Sequence, residues 1–299
     1  MDYPILCNKK KFLERVTEKL GVYPIAYAEK LQTIRGTENY SNRGRCAGVL
    51  LLLYFRKNSP LRNETDGEFF FRLIRRSQSV VQAGDIACPG GMLDAKWDLQ
   101  LKKLITSGLI PLLRNKAGQY ARHRDRQDYD AITLFLANAA REAWEEIRLN
   151  PFRILFLGPL PSYSLQLFQR TIFPLVGYVD SNHYFRPNYE VERIVDIPIR
   201  AFFQQGNYGT ITTTPGDNLL PSGKSSGTQP CLIYTDPEGR ENILWGATFS
   251  IVISFLNIVL NFQIPKGETG LAVRKTINFD YVSGGSYSGK KVSNGKLLK

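Results

Sequence analysis

Apolar and polar positions along the chain follow two periodicities. Residues 47–55 (Ala-Gly-Val-Leu-Leu-Leu-Leu-Tyr-Phe) run almost without polar interruption, and 68–74 form a second such run. Apolar runs of that length predict strands buried on both faces, at the centre of a sheet. Further strand-like segments lie at 153–157, 171–179, 191–197 and 230–234, while 206–229, rich in Gly, Thr, Ser and Pro, reads as a long hairpin loop. Helical spacing marks 8–35 and again 131–148, where Leu136, Ala139, Ala143 and Ile147 make one apolar stripe. The most apolar stretch, 245–262, carries Ser250, Ser254, Asn257 and Asn261 at three- and four-residue spacing. That polar stripe suits a buried helix better than a membrane span, and no transmembrane segment is expected.

Strands before and after one helix, with a second helix near the end, predict an α/β/α sandwich around a mixed sheet. The expected division is a helical extension over 1–40, one α/β domain over 41–265, and a basic, weakly ordered tail over 266–299. Residues 95–130 read as a polar, basic insertion with a short helix near 98–106.

The formal net charge is +12, which points to polyanionic partners: nucleic acid, a membrane surface or a phosphorylated small molecule. Its clusters, Lys9 to Lys11, Arg114 to Arg126 and Lys290 to Lys299, lack interleaved aromatics, so no stable nucleic-acid partner is expected. Four scattered cysteines and two histidines, His123 and His183, argue against a zinc site or a disulfide framework. The sparse cysteine and the lack of a signal peptide fit an intracellular protein, cytoplasmic by default, with mitochondrial or peroxisomal placement left open. A homodimer is admitted as an assembly.

The chemistry concentrates at 141–149, Arg-Glu-Ala-Trp-Glu-Glu-Ile-Arg-Leu. Glu142, Glu145 and Glu146 share one helical face and repel one another unless a cation or solvent relieves them. A divalent ion bound through carboxylate oxygens is one solution. An exposed acidic face, with Arg141 pairing Glu145 one turn on, is the other. Gly90 and Gly91, upstream, let backbone come close to a ligand or take positive φ.

Taken together, Gly91 and Arg141-Glu142-x-x-Glu145-Glu146 resemble the Nudix box, Gly-x5-Glu-x7-Arg-Glu-U-x-Glu-Glu-x-Gly-U. The likeness extends to segments similar to those of coenzyme A diphosphatases. These are Arg76-Ser77 with 83–91 before the box, Leu160-Pro161-Ser162-Tyr163, Arg186-Pro187-Asn188-Tyr189-Glu190-Val191, and Leu244-Trp245-Gly246-Ala247-Thr248. The chain departs from the motif in three places. Between Gly91 and Arg141 lie 49 residues where the box has 13, so 36 are extra. Counted back from Arg141, the first box glutamate falls on Thr133, with Asp128 and Asp130 as nearby substitutes or helix caps. The late box glycine is Arg148.

The resemblance implies a Nudix-type sandwich with Mg2+ or Mn2+ as cofactor. Gly91, Glu142, Glu145 and Glu146 would be the metal ligands, and Glu145, Glu190 and Arg141 the catalytic group. Arg75, Arg76 and Gly90 would contact substrate, whereas Trp245 reads as core rather than as a base-stacking surface. The implied reaction is hydrolysis of a diphosphate linkage in a phosphorylated small molecule, coenzyme A or an acyl-CoA first. Other readings are an enzyme for ADP-ribose, a dinucleotide or capped RNA, and a silent module that binds RNA or protein.

Overall fold

A computed structural model describes residues 4–36, 46–57, 67–165, 170–180, 184–215, 227–265 and 271–277. The elements begin with α1 (Lys9–Val22), α2 (Tyr27–Gly36), β1 (Cys46–Lys57), β2 (Gly67–Arg76), β3 (Ile86–Ala87) and β4 (Gly90–Met92). There follow α3 (Ala95–Thr106), α4 (Lys116–Arg122), α5 (Arg126–Ile147), β5 (Leu155–Pro159), β6 (Tyr163–Leu165) and β7 (Arg170–Tyr178). The chain continues through β8 (Val191–Pro198), β9 (Tyr208–Pro215), β10 (Gly227–Thr235), β11 (Glu241–Leu244), α6 (Gly246–Leu260) and β12 (Ala272–Ile277).

The two apolar runs become β1 and β2, antiparallel neighbours at the centre of a mixed sheet. On its other edge β1 runs parallel to β7, from Cys46 opposite Thr171 to Leu53 opposite Tyr178. β5 and β6 continue the sheet beyond β7, and β8 lies outside β2. A second sheet has the order β11-β10-β9-β12.

Alternation along β1 sets the layers, because successive side chains leave a strand on opposite faces. Leu51, Leu53 and Phe55 enter one core with Phe12, Val16 and Leu20 of α1 and Val252, Phe255 and Val259 of α6. Leu50, Leu52 and Tyr54 enter the other, with Tyr27 of α2 and Ile132, Phe135 and Leu136 of α5. Helices therefore cover both faces, giving the expected α/β/α sandwich. In the second core Phe135 stacks on Phe173 at 3.8 Å between centroids. The Tyr27 hydroxyl donates to the Pro174 carbonyl at 2.6 Å, satisfying a buried polar group in the same layer.

The insertion folds as α3, α4 and the first turns of α5, and its charges are spent on docking. Lys116 pairs Glu18 of α1 at 2.7 Å, and Lys102 pairs Asp130 at 2.9 Å. Arg124 donates to the carbonyls of Leu20, Gly21 and Tyr23 at 2.9, 2.8 and 2.9 Å. Those carbonyls, at and just beyond the end of α1, include ones that a helix leaves without intrahelical partners, and a guanidinium there also suits the helix dipole.

Several boundaries differ from the sequence expectation. α5 begins at Arg126 rather than at 131, because Asp125 caps it by accepting from the Gln127 amide at 2.7 Å. Neither Asp128 nor Asp130 caps the helix: Asp128 accepts from the Ala28 amide at 2.9 Å, and Asp130 takes Lys102. The expected loop at 206–229 has strands β9 and β10 at its ends, where β-branched residues outweigh the turn-forming composition. Its centre, 216–226, lies outside the described residues, as do His183, 266–270 and 278–299. Within the expected tail, β12 pairs parallel with β9. None of the four cysteines forms a disulfide, and among the described residues no helix is long and apolar enough to cross a membrane.

Arg124→Met keeps the aliphatic stem but leaves three carbonyls without their charged donor. A loss of about 2–4 kcal/mol is expected in chemical denaturation of the full chain.

Candidate active site

The site begins where β4 lies along the start of β1, with Gly90 opposite Val49, Gly91 opposite Gly48 and Met92 opposite Ala47. Gly90 has φ +152°, and a Cβ there would sit 2.4 Å from the Gly48 carbonyl oxygen. A Cβ on Gly91 would lie 2.5 Å from the carboxyl carbon of Glu142. The Gly90 amide donates to Glu146 Oε2 at 2.9 Å. Gly91 thus leaves room for the Glu142 carboxylate, while Gly90 lets β4 lie close against the β1 backbone with its amide on Glu146.

Arg141 ties the helix face together. Its Nε donates to Asp98 Oδ1 at 2.7 Å, and its two Nη atoms reach Glu142 at 2.9 Å, Glu145 at 3.0 Å and the Met92 carbonyl at 3.2 Å. Sequence reasoning missed Asp98. Counting back from Arg141 led to Thr133, which is buried and donates to the Asp130 carbonyl at 3.0 Å, away from the glutamates. Counting forward from Gly91 by the box spacing leads to position 97, one short of Asp98. Of the 36 extra residues, one therefore precedes Asp98 and 35 follow it. Asp98 sits in the first turn of α3, capped by Asp94, and is fully buried.

A cleft of about 980 Å3 opens over these groups, and Glu142, Glu146, Glu190, Gly90, Gly91 and Arg76 all line it. Glu190 arrives on the loop before β8, which caps α5 through the Arg186 amide on the Ile147 carbonyl at 3.0 Å and the Asn188 amide on the Glu146 carbonyl at 2.8 Å. Arg76 commits its Nε to the Val81 carbonyl at 2.9 Å. Arg141 stands behind the cleft, and Glu145 is half-exposed beside it. Arg75 falls on the opposite face of β2, 3.4 Å from Glu192, in a smaller recess. Trp245 is not core: it lines the cleft and donates to Asp85 Oδ1 at 3.2 Å, with Lys275 of β12 over its ring at 5.2 Å. Lys275 also pairs with Asp85.

At Arg148, where the box has glycine, the backbone turns left-handed with φ +56°, and its amide bonds the Ala143 and Trp144 carbonyls to close α5. The position keeps a glycine conformation without the glycine. An arginine tolerates it at a cost on the order of 1 kcal/mol.

Burial pushes the Glu142 carboxyl up to about 7, against the pull of Arg141 and with help from Glu145. Burial likewise pushes Glu146 up to about 8, opposed by the Gly90 amide and reinforced by Glu142. Two buried carboxylates in mutual repulsion make a strong attractor for a cation.

A carboxyl whose folded pKa exceeds its unfolded value of 4.5 supports the fold while protonated and loses that support as pH rises through about 8. In metal-free buffer, Glu146→Gln should therefore match the parent below pH 4.5 and exceed it by roughly 2 kcal/mol above pH 8, measured by urea unfolding across the pH range. Gly91→Ala should do the reverse, losing about 1–3 kcal/mol through its clash with Glu142.

No protein-family model matches the chain. It is 37% identical over 107 residues to an uncharacterized Nudix hydrolase NudL of Klebsiella pneumoniae (strain 342), covering 35% of this chain and 54% of that one. It is 28% identical over 127 residues to the peroxisomal coenzyme A diphosphatase NUDT7 of Mus musculus, covering 42% and 50%. The chain thus spans about half the length of these curated relatives. Among solved structures, the NUDIX domain of Shewanella oneidensis NrtR complexed with ADP ribose aligns at 10% identity and TM-score 0.31, over 58% of this chain and 86% of that one. A C. elegans Ap4A hydrolase binary complex aligns at 10% identity and TM-score 0.30, over 50% and 77%. Over the matched stretch the chain is thus similar to Nudix hydrolases, and the glycines and glutamates of its split box meet in one cleft.

Proposed function

We propose that the chain hydrolyses a diphosphate linkage in a nucleoside diphosphate derivative, with Mg2+ or Mn2+ as cofactor. The carrying observation is the convergence of Glu142 and Glu146 on the Gly90–Gly91 backbone at the floor of the cleft. Among the described residues no three His, Cys, Asp or Glu side chains close a metal site by themselves. Two carboxylates with backbone and substrate oxygens nevertheless suit Mg2+, which keeps waters and shares substrate phosphates. The donors are all oxygen, as hard cations require.

In this reading Glu142 and Glu146 hold the ion, with the Gly91 carbonyl as a further ligand. When bound, the ion supplies charge neutralisation on the bridging phosphate and a lowered pKa for the attacking water. Arg141 fixes the side chains of Glu142 and Glu145 by charge-assisted hydrogen bonds, so neither carboxylate has to be ordered during turnover. Glu190 shares the cleft with Glu146 and would take the proton of the water. Arg76, on the cleft wall, faces the substrate phosphates. Arg75 has its place in the smaller recess and takes no part in this scheme.

For the substrate we favour coenzyme A or an acyl-CoA, cleaved to 3′,5′-ADP and phosphopantetheine or its acyl form. Support comes from the diphosphatase-like segments around Arg76, Glu190 and Trp245, all of which border the cleft, and from the similarity to the mouse protein.

The full chain with Mg2+ should release products of these masses from coenzyme A. Glu145→Gln or Glu146→Gln should lower kcat at least about 100-fold without loss of fold. Cleavage of ADP-ribose or a dinucleotide, with coenzyme A untouched, would reassign the substrate and keep the reaction.

A further inference from the structure

Asn138 is a fully buried amide in the apolar face of α5, between Ala137 and Ala139. Its Oδ1 accepts from the Gly48 amide at 2.6 Å. Its Nδ2 donates to the Met92 carbonyl and to Asp98 Oδ2, both at 3.0 Å. A Cβ on Gly48 would lie 2.5 Å from that Oδ1, so β1 carries glycine where the amide enters. One side chain thereby joins β1, β4, the start of α3 and α5, the four pieces that meet at the site.

The consequence for geometry is specific. Gly91 must lie flat on Glu142 and the Gly90 amide must reach Glu146, which requires a fixed register between β4 and α5. Asn138 supplies it one helical turn before Glu142. The same amide is one of three donors to Asp98 Oδ2, with the Asp94 amide at 2.7 Å and Arg141 Nη2 at 3.3 Å, while Arg141 Nε takes Oδ1 at 2.7 Å. Asp98 lies in the first turn of α3 and is fully buried, so both of its oxygens depend on donors from the protein. Buried networks of this kind are stable only when each member is satisfied.

We propose that Asn138 is a positioning residue for the reaction. Through Asp98 it aims Arg141, and through Gly48 and Met92 it holds the glycine strand against Glu142 and Glu146. The inference rests on the diphosphatase reading for its kinetic consequence, while its geometric part is independent of any substrate.

Asn138→Asp keeps the shape and the acceptor for Gly48 but removes both donors and sets a second carboxylate against Asp98. Adding Asp98→Asn removes the repulsion and returns a donor to that contact, at the expense of the acceptor used by the Asp94 amide. In the full chain, Asn138→Asp should lower kcat about 10–100-fold with KM changed less than about threefold, and the double variant should recover part of the loss. Hydrogen exchange followed by mass spectrometry gives a reading that needs neither metal nor substrate. Exchange over 88–93 should quicken in Asn138→Asp and slow again in the double variant, with 171–178 as a segment that does not change. Uniformly faster exchange, or a kinetic loss that Asp98→Asn fails to rescue, would reduce Asn138 to a packing residue and overturn the proposal. If the parent cleaves no diphosphate, the functional reading fails, and the exchange pattern alone decides the role of Asn138.

Discussion

The contact between the Glu142 carboxylate and the bare α-carbon of Gly91 is the constraint around which the rest is arranged. It cannot form unless β4 pairs tightly with β1, so Gly90 takes a backbone angle that side chains disfavour. It cannot persist unless α5 keeps its register, so a turn of small residues, Ala137, Ala139 and Ala140, lies against the sheet with Asn138 among them. It also brings Glu142 and Glu146 out of water together, at a cost visible in both carboxyls, which burial drives upward. An unliganded fold carries that cost as lost stability. In the proposed reading a bound cation would remove it.

Much of this was legible in the sequence, for identifiable reasons. The continuous apolar runs of β1 and β2 could only be central strands, and the stripe from Leu136 to Ile147 could only be one face of a helix. The box residues named Glu142, Glu146 and the glycines, and the structure brings those four together. Asp98 escaped because the motif was counted from its arginine, across 35 extra residues, whereas the count from its glycine misses Asp98 by one residue. Trp245 escaped for a different cause: an indole next to an apolar helix is equally consistent with core, and only the hydrogen bond to Asp85 places it on the cleft wall. Arg76 and Arg75 are adjacent in sequence, yet one lines the cleft and the other the smaller recess, at a point where the β2–β8 register shifts between them.

The insertion explains why the basic charge of the chain is a poor guide to its partner. Lys102, Lys116 and Arg124 are engaged with Asp130, Glu18 and the end of α1. A stretch that reads as a polyanion-binding surface is in part the mortar between α1, α4 and α5. Arg141 also takes a partner from outside α5, because Asp98 approaches it from α3. An internal box fixes that pair by short covalent distance. A split box has to fix it by packing, and the α3–α5 interface with the Asn138 amide at its centre performs that task.

The far wall of the cleft follows a similar logic at longer range. Asp85 precedes the glycine turn by five residues, Trp245 precedes α6, and Lys275 belongs to the described part of the C-terminal region. These three join across the second sheet through a hydrogen bond, an ion pair and a cation over an indole. Thr213, Gln229 and Ile277 bring β9, β10 and β12 to the same cleft. Chemistry that the box confines to β4 and α5 is therefore enclosed by elements that the box does not mention. In the proposed reaction the floor, with its two carboxylates, would determine what bond can be broken. The size and polarity of the walls, set by the second sheet, determine which molecule can present that bond, and this is why the motif identifies the reaction more directly than the substrate.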